Sequence, residues 1–190
     1  AEFGNAPLYL LDTNLPENCD PHITGQLYGW FSEERIAQEM ALGIGGVRAL
    51  RALNLPIDIY HFNDSHPVFA GLELVREKMD QRGLSFAEAW QRTKKEIVFT
   101  THTPVPAGNE VYSHELLRYM GADNGLTYEQ LLKLGGKPFS MTVAGLRLCK
   151  KASAVSKKHG ITAQKMWSEV EGTSQIIPIT SGVLNGTWQD

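Results

Sequence analysis

The sequence predicts an α/β fold: a Rossmann-like parallel sheet with helices on both faces. Two observations carry this reading. Short apolar, β-branched runs recur along the chain, and helical patterns with capping residues stand between them. No repeat, low-complexity tract or linker interrupts the alternation, so residues 1–190 are expected to form a single α/β domain.

Residues 7–12 (PLYLLD) are nearly continuous in apolar character and read as a buried strand. Ser32 can cap a helix through Leu53, with Glu33 and Glu34 in a first turn where carboxylates suit the helix dipole. Gly43, Gly45 and Gly46 lie inside that helical pattern rather than in a strand-to-helix turn. They signal close helix packing, not a dinucleotide fingerprint. Residues 57–62 (IDIYHF) read as the next strand, 68–82 as a helix, and Gly83 as its stop. Ser85 and Glu88 form a capping box for a helix to Glu96. Residues 97–102 (IVFTTH) form a β-branched strand, and 103–109, with two prolines and a glycine, form a loop. Helices are expected over 114–120, over 127–134 with Gln130 as the capping partner of Thr127, and over 140–150. A strand at 152–156, a helix at 161–170 and a strand at 175–180 complete the series. Pro178 puts the last strand at an edge or makes it irregular.

Of the 190 residues, 42% are hydrophobic and 21% charged, enough to bury a sizeable core. The formal net charge of -3 leaves no domain-wide basic field, so neither nucleic acid nor an anionic membrane is an expected partner. No apolar stretch approaches the roughly 20 residues of a membrane helix, and no signal peptide is visible. Cys19 and Cys149 match neither a disulfide framework nor a zinc pattern, so a reducing, cytoplasmic location is expected.

Open α/β sheets bind ligands beyond the carboxyl ends of their strands. Behind the expected strands come Asn63-Asp64-Ser65-His66, His102-Thr103-Pro104, Lys157-Lys158-His159-Gly160 and Ser181-Gly182. Such a rim of directional donors and acceptors suits a polyhydroxylated ligand, and a sugar is the simplest candidate. Each group also has a plain structural role open to it. Asp64 and His66 can cap the following helix, His102 can be a buried histidine bonded to backbone, and Lys157 and Lys158 can be a solvated pair. Tyr28, Trp30 and Phe31 can stack on sugar rings or fill the core. No helical His pair supports a metal among Asp64, His66, His102 and His159, so no metal is expected. No Gly-x-Ser-x-Gly elbow occurs.

At these same residues the sequence resembles the α-glucan phosphorylase family, which includes glycogen, starch and maltodextrin phosphorylases. The resemblance rests on PLYLLDTNLPEN (7–18), ITGQLYG (23–29), RIAQEMALGIGGVRALRAL (35–53), YHFNDSHPVFAGLE (60–73) and LSFAEAW (84–90). It continues through VFTTHTPVPAGNE (98–110), FSMTVAGLRLC (139–149), AVSKKHG (154–160), KMW (165–167) and PITSGVLNGTW (178–188). Ten motifs in one order are far more specific than any single one, and the pattern is nearest the shorter bacterial-type branch.

The resemblance implies part of the N-terminal domain of the glycogen phosphorylase-type glycosyltransferase fold. It implies reversible phosphorolysis of an α-1,4-glucan or maltodextrin by phosphate, giving glucose 1-phosphate with retention. Pyridoxal phosphate is the implied cofactor, acting through its phosphate group. His102 matches the catalytic-site histidine whose backbone carbonyl faces the glucosyl unit, where it can stabilise developing positive charge. Asp64 and His66 match an acidic residue and a histidine beside the glucan subsite. Tyr28, Gly29 and Trp30 fall in a mobile gating loop. Ser181-Gly182 matches a turn whose asparagine contacts glucose, and here serine stands in its place. Full-length relatives are several times longer and typically homodimers; the oligomeric state of this chain does not follow from them. Their cofactor lysine, glycine-rich loop and second domain have no counterpart in these residues, so no cofactor-binding residue is assigned here. The 190 residues alone are therefore expected to be inactive. The alternative is a non-catalytic glucan-binding or regulatory module.

Overall fold

The computed structural model describes residues 6–29, 31–183 and 186. The chain begins with α1 (Ser32–Met40), a π-helical turn (Ala41–Gly45) and α2 (Gly46–Ala52), then β1 (Tyr60–Asn63), α3 (Phe69–Arg82) and α4 (Phe86–Lys94). Next come β2 (Ile97–Thr101), a short 3-10 turn (Pro106–Gly108), β3 (Val111–Tyr112), α5 (His114–Met120) and α6 (Tyr128–Gly135). β4 (Phe139–Ser140), α7 (Met141–Leu148), β5 (Lys151–Ala154), α8 (Lys157–Met166) and β6 (Ile176–Pro178) complete it. The expected parallel α/β fold is present: β1, β2, β5 and β6 pair in that order, all parallel.

Sheet order follows chain order. Right-handed crossovers between such strands carry their helices to the same side. Phe62, Ile97, Phe99, Ala152, Ala154 and Ile176 are buried there. Glycine permits the close approach: a Cβ on Gly145 of α7 would lie 2.6 Å from the Phe99 ring, and one on Gly160 of α8 would lie 2.9 Å from Pro178. The helices therefore flank the sheet unevenly. His61, Asn63, Val98, Thr100, Lys151, Ser153 and Ile177 remain exposed or half-exposed on the other face. There His61 Nε2 lies 2.7 Å from Thr100 Oγ1, and Thr100 Oγ1 lies 2.9 Å from Ser153 Oγ, a polar row across three strands.

Several local signals act as expected. Ser85 with Glu88 and Thr127 with Gln130 both form complete capping boxes, and Gly83 ends α3 in the left-handed conformation at φ 62. Gly43 serves close packing, since a Cβ there would lie 2.7 Å from the backbone nitrogen of Ala70. β6 is an edge strand.

Other expectations are corrected. Residues 7–12 form no strand; Leu8 and Leu10 are each 82% exposed. Apolar content alone does not make a strand when no neighbour supplies ladder partners, and among the described residues none does. Ser32 is the first helical residue and not the cap, which falls at Phe31 without a side-chain bond. The helix through Leu53 is interrupted by the π turn. α8 begins at Lys157, four residues earlier than expected, because Ser156 Oγ accepts the His159 amide at 3.0 Å. Lys157 to Gly160 are thus its first turn and not a loop. The β3–β4 pair was not expected.

Candidate functional site

Parallel strands in adjacent positions end at one rim. Asp64 follows β1, His102 follows β2, Val155 follows β5, and Ser181 lies just beyond β6. Asp64 is buried and held at φ 63, a conformation that aspartate tolerates better than most residues. Its Oδ1 accepts from the Ser65 amide at 3.1 Å, and its Oδ2 accepts from Thr103 Oγ1 at 2.9 Å. The second bond ties the β1 loop to the residue after His102. His102 is exposed, which removes the buried-histidine alternative. His102 and Ser181 both line an open groove of about 440 Å³ across the half-exposed sheet face, beside Asn63, Thr100 and Ser153. The Ser181 amide donates to Val155 O at 3.0 Å, and Gly182 is exposed next to it. His159 is instead buried in α8, with Val155 N 3.4 Å from its Nδ1, while Lys157 and Lys158 are solvated as the plain reading expects.

His66 and Tyr28 belong to a neighbouring cavity of about 370 Å³ with Gln38, Glu39 and Leu42. Tyr28 is exposed, not core, and adopts φ 69; Gly29 beside it has φ 58. A non-glycine residue in that region costs about 1 kcal/mol or more and persists only when its surroundings hold it. Here the Tyr28 ring covers the Arg35 guanidinium at 4.6 Å and meets the His66 ring at 6.0 Å. Trp30 lies outside the described residues. Phe31 is exposed.

Arg35 is the centre of this cluster. Its Nη2 donates to Glu110 Oε1 at 2.7 Å and lies 2.9 Å from His66 Nδ1. Its Nε lies 3.6 Å from Glu39 Oε1. Ser65 Oγ donates to Glu110 Oε2 at 2.8 Å, and Tyr112 donates to Glu39 Oε2 at 2.9 Å. Burial pushes the Glu39 carboxyl above its usual range, against the pull of His66 and Tyr112. Burial also opposes ionisation of Glu110, but Arg35 and Ser65 outweigh it and hold that carboxyl low. The Glu39 carboxyl, whose Oε1 lies 3.7 Å from Nδ1, raises His66 above the ordinary histidine value. Burial next to the Glu39 charge drives the Tyr112 phenol well upward.

Glu39, His66 and Glu110 bring ligand atoms within 4.8 Å of one another, a spacing a metal ion could use. The Arg35 guanidinium already occupies the middle, so the set is a closed ion-pair cluster and does not fit a cation. Pyridoxal phosphate does not fit these residues either. It needs a buried lysine free to bond it, and the one buried lysine among the described residues, Lys78, donates to Glu96 at 2.8 Å. Glu96 precedes β2, so that pair sits at the opposite end of the sheet from His102.

Sequence reasoning placed Asp64, His66, His102 and Ser181 on the rim but missed Arg35, Glu39 and Glu110. The spacing of Arg35 and Glu39, four apart on a helix, was the one local signal available. Glu110 comes from 75 residues away from Arg35.

Comparison with known proteins gives a consistent result. A family described as carbohydrate phosphorylase matches residues 48–123. An uncharacterized protein of Methanocaldococcus jannaschii is 40% identical over 190 residues, covering 99% of this chain and 34% of its own. A glycogen phosphorylase of Mycobacterium tuberculosis is 36% identical over 214 residues, covering 99% of this chain and 25% of its own. A maltodextrin phosphorylase of Thermococcus litoralis is 37% identical over 199 residues, with 97% and 24% covered. The chain thus spans 24% to 34% of the length of these relatives.

Proposed function

Because this chain belongs to the carbohydrate phosphorylase family as a partial counterpart of its longer members, we propose that it forms the sugar-facing side of an α-1,4-glucan cleft. The reaction served is reversible phosphorolysis of the glucan to glucose 1-phosphate with retention, and residues 1–190 act in it as one α/β unit. The supporting observation is the shared rim, where the Asp64–Thr103 bond couples the loop after β1 to the loop that presents His102.

In this reading His102 contributes its backbone carbonyl, whose partial negative charge stabilises positive charge growing on the glucosyl ring. Asp64 fixes the loop, and His66, Ser181 and Gly182 offer hydrogen-bonding groups to sugar hydroxyls. Tyr28 and Gly29 edge the entrance, and the family resemblance assigns Trp30 to the same loop. Pyridoxal phosphate supplies an acid/base phosphate when bound in a full enzyme; none of the described residues is assigned to hold it. Phosphate and a homodimeric partner belong to the same full-enzyme proposal, as does a cytoplasmic setting. No helix among the described residues is long and apolar enough to cross a membrane.

Titration of the labelled chain with maltoheptaose tests the cleft. Amide shifts at Asp64, His66 and His102 are the expected result; no shift at any of them would sink it. An assay for glucose 1-phosphate from maltodextrin and phosphate is expected to read zero for the 190-residue chain alone. A second reading, glucan binding without turnover, is favoured by Ser181, whose hydroxyl is shorter than the amide that the family resemblance expects there.

A further inference from the structure

His66 Nδ1 faces two groups that make opposite demands on it. Arg35 Nη2, 2.9 Å away, can only donate, so it requires a lone pair on Nδ1. The Glu39 carboxylate, 3.7 Å away through Oε1, can only accept. Glu39 is 2% exposed, and that Oε1 is buried without a hydrogen bond of its own among the described residues. The opposite ring nitrogen, Nε2, makes no hydrogen bond among the described residues. The ring is 32% exposed and lines the cavity with Tyr28.

Resting on the glucan-facing reading of His66, we propose that Arg35 and Glu39 are positioning residues that keep a hydrogen on His66 Nε2, so that the ring always meets its sugar as a donor. While the imidazole is neutral, Arg35 claims the Nδ1 lone pair and the single ring proton must sit on Nε2. When the ring takes a second proton from solvent, that proton lands on Nδ1. Arg35 then repels it, and Glu39 Oε1 is the acceptor in reach. The Nε2–H group survives in both states. A sugar oxygen with a lone pair is accepted in either, and a ligand offering only donors is refused.

The other charged groups around the ring are consistent with this clamp. Glu110 Oε1 lies 3.9 Å from Nδ1 but is engaged by Arg35, and Glu110 Oε2 is engaged by Ser65. Tyr112 holds the far oxygen of Glu39, which leaves Oε1 turned toward the ring. Tyr28 covers Arg35 from the solvent side. The carboxylate of Glu39 favours the charged ring, in line with the upward displacement of His66.

Nitrogen-labelled histidine in the 190-residue chain reads the tautomer directly through long-range proton–nitrogen correlations. Well above neutral pH, His66 should be in the Nε2–H form. Arg35→Met should shift a several-fold larger share to Nδ1–H and weaken maltoheptaose binding several-fold; Arg35→Lys, which keeps a donor, should restore both. Glu39→Gln should lower the titration midpoint of His66 while leaving the neutral tautomer unchanged. An Nδ1–H tautomer in the parent chain overturns the proposal, as does an Nε2–H share that Arg35→Met does not move. If Arg35→Met fails to fold, Arg35→Lys and Glu39→Gln carry the test through the tautomer and the midpoint. The expected tautomer in a chain that ignores maltoheptaose would support the clamp and overturn the glucan reading instead.

Discussion

Thr103 Oγ1 donates to Asp64 Oδ2 across 2.9 Å, and with that one bond the ends of two neighbouring strands become a single wall. Asp64 sits at φ 63 to make it. Thr103→Val should remove the bond with little change in volume. A loss of about 1 kcal/mol in urea unfolding is expected, with weaker maltoheptaose binding and broadened His102 resonances.

The contact between α7 and the sheet predicts a steric contrast. Gly145→Ala would drive a methyl to 2.6 Å from Phe99 and 3.1 Å from Val68, both fully packed. A cost of about 2 kcal/mol or more is expected. At Gly83 nothing lies within 4 Å of the added methyl, and only the left-handed backbone objects. Gly83→Ala should cost about 1 kcal/mol. Denaturant midpoints of the two variants compare them.

These contrasts show what was readable from the chain alone. Capping boxes at Ser85 and Thr127 and the stop at Gly83 are encoded within one helical turn, so the local sequence is enough to find them. The strand after Ile97 declared itself by β-branching. Residues 7–12 misled because burial depends on a partner and not on composition. The β3–β4 pair, two residues on each side, is too short to leave a period. On the rim, Asp64 and His102 were found through the rule for strand ends and through family resemblance. The Arg35–Glu39–Glu110 cluster escaped because α1 and the segment before β3 meet only in the folded chain.

Glu73 predicts the acid limb of stability. It is 1% exposed and accepts hydrogen bonds from Arg48 at 2.9 Å, Arg76 at 2.8 Å and Asn124 at 2.6 Å. Burial resists its charge, but the two arginines and the amide win and hold the carboxyl at about 2. The folded value lies below the unfolded one, near 4.3. Its contribution is therefore complete above about pH 5 and is lost as pH falls through 4 toward 2. Glu73→Gln should lower stability at neutral pH by about 3 kcal/mol and flatten the stability–pH curve in that window, as followed by circular dichroism.

Ser181 predicts a gain. Its side chain is exposed at the groove, and its amide is anchored on Val155. Ser181→Asn adds a longer donor and acceptor without burying either. Maltoheptaose affinity should rise by roughly threefold to tenfold, the worth of one hydrogen bond. Calorimetry checks it, and unchanged affinity would remove Ser181 from the contact.

The agreement between sheet order and chain order has a consequence for birth at the ribosome. The polypeptide emerges with its amino end first, so β1 is available when β2 appears, and β2 when β5 appears. Each newcomer settles on the free side of its predecessor. No finished pairing has to be opened to admit a latecomer, and the growing layer can lengthen at the pace of translation.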